Sequence, residues 1–214
     1  MKGMKIALFG TGFVGDALAG ELAGRGHQVT AVARHPKPSL SGRMATVTGN
    51  AHDPAVAALA VKDADVVVSA LPPLDDQGGL PASTRILIDA ALATGARLGV
   101  VGSSAILPVT PGGPRHADTP GFPDFLADRV AAHAHTLELL RSAPASLDWF
   151  YLAAAGEFGQ FAPGARTGHY RTSTTSQVHD ESGRSHIGVA DYALAFADEL
   201  DAPTVHRGWL TVAY

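Results

Sequence analysis

The 214-residue sequence predicts an α/β fold built on a doubly wound parallel sheet. Three observations lead to this prediction. Short apolar runs alternate with longer segments of helical periodicity along nearly the whole chain. The run DVVVSA at residues 65–70 is too apolar for a sheet edge. The stretch LFGTGFVGDAL at residues 8–18 places a glycine-rich turn between the first strand and the first helix.

The elements follow one another in a regular order. Strands are predicted at residues 5–9, 28–33, 45–48, 65–70, 97–102, 147–152 and 209–213. Helices are predicted at residues 13–25, from residue 54, and at residues 81–94, 123–141 and 188–200. Asp53 followed by Pro54 is typical of a helix start, with an N-cap and a proline at the first helical position. Proline and glycine predict loops at residues 34–38, 71–80 and 103–123, and residues 156–185 predict loops and short strands over one end of the sheet.

Composition excludes several classes of function. The chain has no cysteine, which excludes thiolate metal sites, disulfides and a cysteine nucleophile. A formal net charge of -4 offers no basic surface, so no nucleic-acid partner is expected. No segment approaches the ~20 consecutive apolar residues of a membrane span, and MKGMKIALFG lacks the features of a secretory signal, so we expect a cytoplasmic protein without a membrane partner.

Length predicts one domain over residues 1–214. Residues up to about 105 would form one half of this domain, and residues from about 106 the other half. The expected partner is a small-molecule substrate, with the protein a monomer or a homodimer.

The glycines of the first turn have the spacing G-x-G-x-x-G. Gly10 would permit the tight turn, Gly12 would let the backbone approach a pyrophosphate, and Gly15 would let the helix pack close to the strand. A pyrophosphate suits this position because a helix N-terminus carries unpaired N–H groups and a partial positive charge. The motif follows a strand and precedes a helix, which is the context it requires. We assign the whole turn to a dinucleotide: Gly10, Thr11, Gly12, Phe13, Val14 and Gly15.

The end of the second predicted strand indicates which dinucleotide binds. A site specific for NAD places an acidic residue there on the ribose 2′-hydroxyl, whereas an arginine accommodates a 2′-phosphate. This chain has Ala33-Arg34-His35 and no acidic residue at that point. We therefore predict NADPH in preference to NADH, with Arg34 as the phosphate clamp beside His35. The alternative is that Arg34 is a solvated loop residue.

Five stretches carry a likeness to a known family. They are GTGFVG at 10–15, ARHP at 33–36, GNAHDP at 49–54, VVVSAL at 66–71 and IGVADYALAFADEL at 187–200. In this order and spacing they resemble the atypical short-chain dehydrogenase/reductase group. Within it, the sequence is most similar to NADH-flavin reductases, NmrA-like proteins and biliverdin reductase B-like proteins. The resemblance implies a Rossmann-type parallel sheet with a small C-terminal substrate lobe.

The resemblance also implies where the parts of the cofactor would lie. The adenine is expected near Asn50 and Ala51, and the nicotinamide near Ser103 and Ser104. The ribose and nicotinamide side of the cofactor is expected near Ala70 and Leu71.

The chain departs from the family pattern at three points. Its glycine turn is one residue shorter than the usual G-x-x-G-x-x-G. Asn50 stands where an aspartate commonly reaches the adenine amino group. Residues 153–155 read AAA where related sequences often read SPA, with a nicotinamide contact usually made in the neighbourhood of that proline.

The tyrosine and lysine pair of the wider superfamily is absent. In Tyr-x-x-x-Lys the lysine lowers the pKa of the tyrosine, so that the phenol can exchange a proton with substrate. No tyrosine here has a lysine four residues on. Aligning the long helix puts Arg129 and His133 at about those two positions, on one helical face. His133 would steady the nicotinamide ribose or carry a proton near neutral pH; a surface or packed histidine is the alternative.

Ser104 is the other candidate catalytic residue. The context G-S-S-A differs from the G-x-S-x-G elbow of hydrolases, so no nucleophile is predicted. Ser103 and Ser104 would hydrogen-bond to the carboxamide or to a substrate carbonyl; a plain serine turn is the alternative. His133 and His135 diverge on a helix, so we predict no metal site.

The polar C-terminal segment supplies the candidates for a substrate wall: Glu157, Phe158, Phe161 and Tyr170. The aromatic members could stack on a planar ring, and FMN or FAD is a possible substrate. The first hypothesis is an NADPH-dependent reductase of a flat conjugated acceptor such as a flavin or a quinone. The second is a non-catalytic NADP(H)-sensing regulatory protein. An isomerase or epimerase is third, because it needs an acid/base pair that the sequence does not show.

Overall fold

A computed structural model describes residues 3–35 and 44–214 of the chain. Within these ranges the strands are β1 (Lys5–Phe9), β2 (Gln28–Ala33), β3 (Ala45–Thr48), β4 (Val66–Ser69), β5 (Arg97–Ser103), β6 (Trp149–Ala154), β7 (Arg171–Ser173) and β8 (Gly208–Ala213). The α-helices are α1 (Phe13–Gly24), α2 (Pro54–Val61), α3 (Gly79–Thr94), α4 (Ala127–Ser142) and α5 (Val189–Asp201). Short 3-10 helices lie at Ser104–Ile106, His116–Asp118 and Asp124–Leu126.

The strands form one sheet in the order β3-β2-β1-β4-β5-β6-β8-β7. Neighbouring strands are parallel except β7, which runs antiparallel to β8 at one edge. The strand order reverses between β1 and β4, where Ile6 pairs with Val66 and Phe9 with Ser69. At such a switch point the connections leave in opposite directions and open a crevice outside the carboxyl ends of the strands. The predicted doubly wound parallel sheet is confirmed.

Helices cover the sheet on both faces. One apolar layer joins α1 and α5 to the sheet, and a second layer joins α2, α3 and α4 to the opposite face. Strand β6 supplies both layers, because Phe150 and Leu152 face the first while Trp149 and Tyr151 face the second. A strand covered on both faces needs apolar residues throughout, which explains the continuous run WFYLAA.

Several element boundaries differ from the predicted ones, each for a local reason. Helix α3 begins two residues early, because the Asp75 carboxylate accepts the backbone N–H of Gly79 at 2.7 Å. Helix α4 begins at Ala127, because the three preceding residues form a 3-10 turn. Helix α2 begins at Pro54 as predicted, and the Asp53 carboxylate accepts from the N–H of Ala55 at 2.8 Å. Residues 36–38 of the predicted loop lie outside the described part of the chain.

The C-terminal segment, residues 156–185, contains one strand, which lies at the edge of the sheet. Its regular element is β7, which pairs from Arg171 with Ala213 to Ser173 with Thr211. The pairing was predicted only as an unspecified short strand, because three residues carry too little periodicity to locate. Among residues 3–35 and 44–214, no helix combines the length and the apolar character needed to cross a membrane.

Candidate active site

A cleft of about 770 Å³ runs along the carboxyl ends of the parallel strands. Its walls come from the β1–α1 turn, the ends of β2 to β6, helix α4, and Gly156, Phe158, Gly159 and Phe161. The strand order explains this arrangement, since the carboxyl ends of parallel strands meet at one edge of the sheet. Of the residues predicted for the cofactor, all but Gly15 line this one cleft, at the switch point between β1 and β4. Gly15 is buried where α1 packs against the turn and does not line the cleft.

The three glycines of the first turn differ in what surrounds them. Gly10 has a φ of +94°, and a Cβ there would stand 2.5 Å from the carbonyl oxygen of Ala70. A Cβ on Gly15 would stand 2.0 Å from the carbonyl oxygen of Gly10. A Cβ on Gly12 would meet no atom of the described chain within 4 Å, and its φ of -72° is open to any residue. Packing and backbone strain therefore account for Gly10 and Gly15 but not for Gly12, whose missing side chain leaves space in the cleft.

The N-terminus of α1 opens on the same space. Gly12 is the N-cap residue, and no side chain caps the first turn of the helix. The N–H groups of such a turn lack intrahelical partners and carry a partial positive charge. Free space over Gly12 next to these donors fits the pyrophosphate of a dinucleotide, which needs close backbone approach and N–H donors.

Arg34 and His35 lie where β2 ends, and both are exposed and line the cleft. No salt bridge joins Arg34 to an acidic residue in the described ranges. A guanidinium in this position is available to a phosphate at the rim of the cleft.

Asn50 and Ala51 line the part of the cleft where the adenine is expected, and Asn50 is already held by neighbours. Its amide donates to Gln77 Oε1 at 2.8 Å, and its Oδ1 accepts from the N–H of His52 at 3.1 Å. His52 Nε2 lies 2.8 Å from Asp75 Oδ2. Burial alone would raise the pKa of Asp75, but hydrogen bonds from Gln77, Gly79 and His52 lower it. The segments after β3 and β4 are thus linked across this part of the cleft.

Ser103 ends β5 and Ser104 follows it, and both line the cleft together with Ala70 and Leu71. Ser103 Oγ accepts from the N–H of Ala105 at 3.2 Å and so caps the 3-10 helix that begins at Ser104. The carbonyl of the buried Ser104 accepts from Gln177 Nε2 at 3.0 Å. The Ser103 hydroxyl and the Ser104 carbonyl therefore have structural roles, as in the serine-turn alternative. Both residues also line the cleft.

His133 reaches the cleft from α4 and contacts a tyrosine of the sheet. The hydroxyl of Tyr151 lies 2.9 Å from His133 Nδ1 and accepts from the backbone N–H of Ser103 at 2.8 Å. Burial, and secondly the positive charge of Arg129, lowers the pKa of His133 to about 4. Burial raises the pKa of Tyr151 above its ordinary range. Both side chains are therefore neutral at neutral pH.

Part of the cleft has an aromatic wall. Phe158 and Phe161 line it, and the Phe158 ring lies 6.1 Å from the Phe13 ring and 4.9 Å from the Tyr192 ring, centroid to centroid. Phe161 is 80% exposed, which leaves its ring free to cover a ligand. Phe122 adds a third ring and packs edge-on against His116 at 5.3 Å. These contacts suit a flat, apolar group.

Glu157 and Tyr170 lie outside this wall, which corrects the predicted set. Glu157 forms an ion pair with Arg184 at 2.6 Å, and that hydrogen bond lowers the pKa of Glu157. Tyr170 packs beneath the lobe and donates its hydroxyl hydrogen to Asp198 on α5. Neither side chain lines the cleft. The sequence placed both residues in the right lobe but could not show which side of it each would face.

Residues that line or support the cleft but were not predicted as site residues include Tyr151, His116 and Phe122. Tyr151 lies in an apolar strand. A tyrosine buried in such a strand needs a hydrogen-bond partner for its hydroxyl, and this need was the signal that could have identified it. His116 and Phe122 come from a predicted loop that has no periodicity to orient its side chains. In the described part of the chain, no group of three acidic or histidine side chains is placed to hold a metal ion.

A protein-family model described as "NAD(P)H-binding" matches residues 10–200. The chain belongs to this NAD(P)H-binding family. The match covers every residue that lines the cleft, and the resemblance to the atypical short-chain dehydrogenase/reductase group is confirmed.

Solved structures of relatives share the fold over nearly the whole of both chains. A "putative exported protein" from Burkholderia pseudomallei is 37% identical, with a TM-score of 0.87 over 99% of this chain and 100% of that one. A "putative epimerase" from Bacteroides thetaiotaomicron is 32% identical, with a TM-score of 0.87 over 100% and 98% of the two chains. A "putative NADH-flavin reductase" from Streptococcus pneumoniae is 28% identical, with a TM-score of 0.86 over 99% of each.

Proposed function

We propose that this protein is an NADPH-dependent reductase that transfers hydride to a small, flat, conjugated acceptor such as a flavin or a quinone. The observation that carries the proposal is Gly12, whose missing side chain leaves space in the cleft at a helix N-terminus. The cleft continues from this point to an aromatic wall. One part of the cleft thus suits a dinucleotide and another a planar ring.

Each part of the cofactor site has residues suited to it. The N–H groups at the start of α1 would bind the pyrophosphate over Gly12, and Arg34 would bind the 2′-phosphate. Asn50 and Ala51 would contact the adenine after Asn50 exchanges its bond to Gln77. When bound, NADPH would supply a hydride from its nicotinamide, and the acceptor would gain that hydride and then one proton from water.

The acceptor end supports a reaction without a tyrosine acid. Phe158 and Phe161 would hold a planar acceptor and exclude water from its face. An acceptor that takes its proton from water needs no Tyr-x-x-x-Lys pair, which this chain lacks. The solved relative from Streptococcus pneumoniae that is named as an NADH-flavin reductase supports this acceptor class, and FMN or FAD would then be a substrate.

An NADP(H)-sensing role is the second candidate, and one observation favours it. The hydroxyls of Tyr151 and Tyr192 are buried and held by protein partners, so neither is free to protonate a substrate. One relative is named as an epimerase. An epimerase needs an acid and a base on opposite sides of the substrate. A histidine with a pKa of about 4 is a weak base for that reaction.

The reductase proposal is tested by turnover. Purified protein is mixed with NADPH and, separately, FMN, menadione or cinnamaldehyde, and the loss of nicotinamide absorbance is followed. We expect NADPH oxidation with FMN or menadione, since a planar conjugated ring fits the aromatic wall. Tight NADPH binding without turnover of any acceptor would favour the sensor instead.

Arg34→Ala tests the choice of dinucleotide. The dissociation constant for NADPH should rise roughly 10- to 100-fold, because a charge-assisted phosphate contact is lost. The constant for NADH should change less than about 2-fold, because that cofactor lacks the 2′-phosphate. Calorimetric titration measures both, with Arg141→Ala as the control for loss of an exposed arginine outside the cleft. Equal losses for the two cofactors would mean that Arg34 is not the clamp.

The remaining predictions extend this proposal. We take residues up to about 105 as the dinucleotide-binding half of one domain and residues from about 106 as the substrate side. The partner would be a small molecule and not nucleic acid, given the net charge of -4. A monomer or homodimer in the cytoplasm stays a prediction.

A further inference from the structure

The hydrogen bonds around Tyr151 determine which nitrogen of His133 carries a proton. The Tyr151 oxygen accepts from the Ser103 N–H at 2.8 Å, and this N–H cannot in turn accept the hydroxyl hydrogen. The hydroxyl is buried on β6 and needs an acceptor for that hydrogen. In residues 3–35 and 44–214, the acceptor within reach is His133 Nδ1, at 2.9 Å. Tyr151 therefore donates to Nδ1, and the neutral imidazole keeps its hydrogen on Nε2.

The other nitrogen of His133 is open to the cleft. Nε2 has no hydrogen-bond partner among the described residues. It is also not among the buried polar atoms that lack a partner, so it is not sealed inside the protein. The residue lines the same cleft as Ser103 and Ser104, and Tyr151 links it to Ser103. Nε2 thus presents a hydrogen to whatever occupies this part of the cleft.

The surroundings hold the imidazole in its neutral form. Arg129 lies one helical turn away on α4 and opposes a second positive charge, while Tyr151 from β6 and Ser103 from β5 contribute no negative charge. His116 lines the same cleft, and burial followed by His179 lowers its pKa as well. No carboxylate forms an ion pair with His133 in the described part of the chain. A neutral imidazole donates a hydrogen bond but is a weak proton donor.

We propose that His133 is a fixed neutral hydrogen-bond donor whose Nε2–H binds a carbonyl oxygen or ring nitrogen of the acceptor, with Tyr151 as the positioning residue. The acceptor part of this inference rests on the proposed reductase function. The hydrogen bond would stabilise negative charge that forms on the acceptor as it takes the hydride. His133 keeps its hydrogen throughout, and water supplies the proton.

The tautomer is tested without turnover. Nitrogen NMR of the histidines, with His133 assigned by loss of its signals in His133→Gln, should show at neutral pH a hydrogen on Nε2 and none on Nδ1. In Tyr151→Phe the same signals should report both tautomers, because the donor to Nδ1 is gone. An imidazolium or an Nδ1–H form in the wild-type protein would overturn the inference, whatever the enzyme does.

The donor role is tested by kinetics with NADPH and menadione. His133→Leu should lower kcat at least about 10-fold, because a donor to the developing charge is removed. His133→Gln should keep most of the activity, because its amide places a donor near the position of Nε2. Tyr151→Phe should lower kcat in the wild-type background. It should have no further effect in His133→Gln, because a glutamine amide has no alternative tautomer for Tyr151 to select against.

The pH dependence separates a fixed donor from an acid. The wild-type rate should show no histidine inflection near neutral pH. An inflection that His133→Gln removes, or a His133→Leu variant as active as the wild type, would overturn the donor role. Absence of turnover with all acceptors would contradict both the proposed function and the inference that Nε2–H binds the acceptor. The NMR result would still decide the tautomer of His133. Circular dichroism of each variant confirms that it is folded.

Discussion

Gly12→Asp should abolish NAD(P)H binding while the protein folds at least as stably as before. The side chain would enter the open space over Gly12, where no described atom lies within 4 Å of a Cβ. Aspartate is a preferred N-cap, and its charge suits the start of a helix, so the free energy of unfolding should stay equal or rise by a few tenths of a kcal/mol or more. The same carboxylate would occupy the space of the pyrophosphate and repel it. The loss in affinity should be roughly 100-fold or more.

The control for this variant is Gly20→Asp in the same helix. Gly20 is exposed and does not line the cleft, and a Cβ at this position would meet no described atom within 4 Å. The control adds the same charge to the protein but leaves the cleft free, so it should bind NADPH as the wild type does. Titration of NADPH and denaturant unfolding measure the two effects. Full affinity in Gly12→Asp would show that the space over Gly12 is not the pyrophosphate site.

Gly15→Ala should give the opposite result and destabilise the fold. The new Cβ would stand 2.0 Å from the carbonyl oxygen of Gly10 and 2.8 Å from its carbonyl carbon. Both are backbone atoms of the tight turn, so relief requires a shift of α1 against β1. We expect a loss of about 3 kcal/mol in the free energy of unfolding, at the upper end of the range for overpacking.

The matched control for Gly15→Ala is Gly20→Ala. It makes the same substitution in the same helix where space is free, and it should stabilise the protein by roughly 0.5–1 kcal/mol because alanine is the better helix former. Urea unfolding of the pair gives the difference directly. Similar stabilities of the two variants would contradict the close packing of Gly15 against the turn.

The sequence predicted what depends on local pattern. The glycine turn could be recognised because Gly10, Gly12 and Gly15 are close in sequence and their spacing has a stereochemical reason. The buried strands could be recognised because a two-faced parallel sheet needs continuous apolar runs. Distinguishing the role of Gly12 from that of Gly15 required coordinates, since only the surroundings show which missing side chain is needed by the fold and which leaves space in the cleft.

Side-chain pairs that are distant in sequence could not be predicted. Tyr151 and His133 meet because β6 packs under α4, and nothing in either segment specifies the other. Glu157 and Tyr170 were placed in the correct lobe, but their partners Arg184 and Asp198 turn them away from the cleft. A loop rich in glycine indicates where the chain passes and leaves open which side chains face the ligand.

The measurement that most directly tests the central claim is a structure of the protein with NADPH bound. We predict the pyrophosphate over Gly12 at the start of α1, the 2′-phosphate at Arg34, and the nicotinamide between Ser103 and the aromatic wall of Phe158. Phosphates bound elsewhere with the space over Gly12 empty, or a nicotinamide at the Asn50 end of the cleft, would contradict this account of the site.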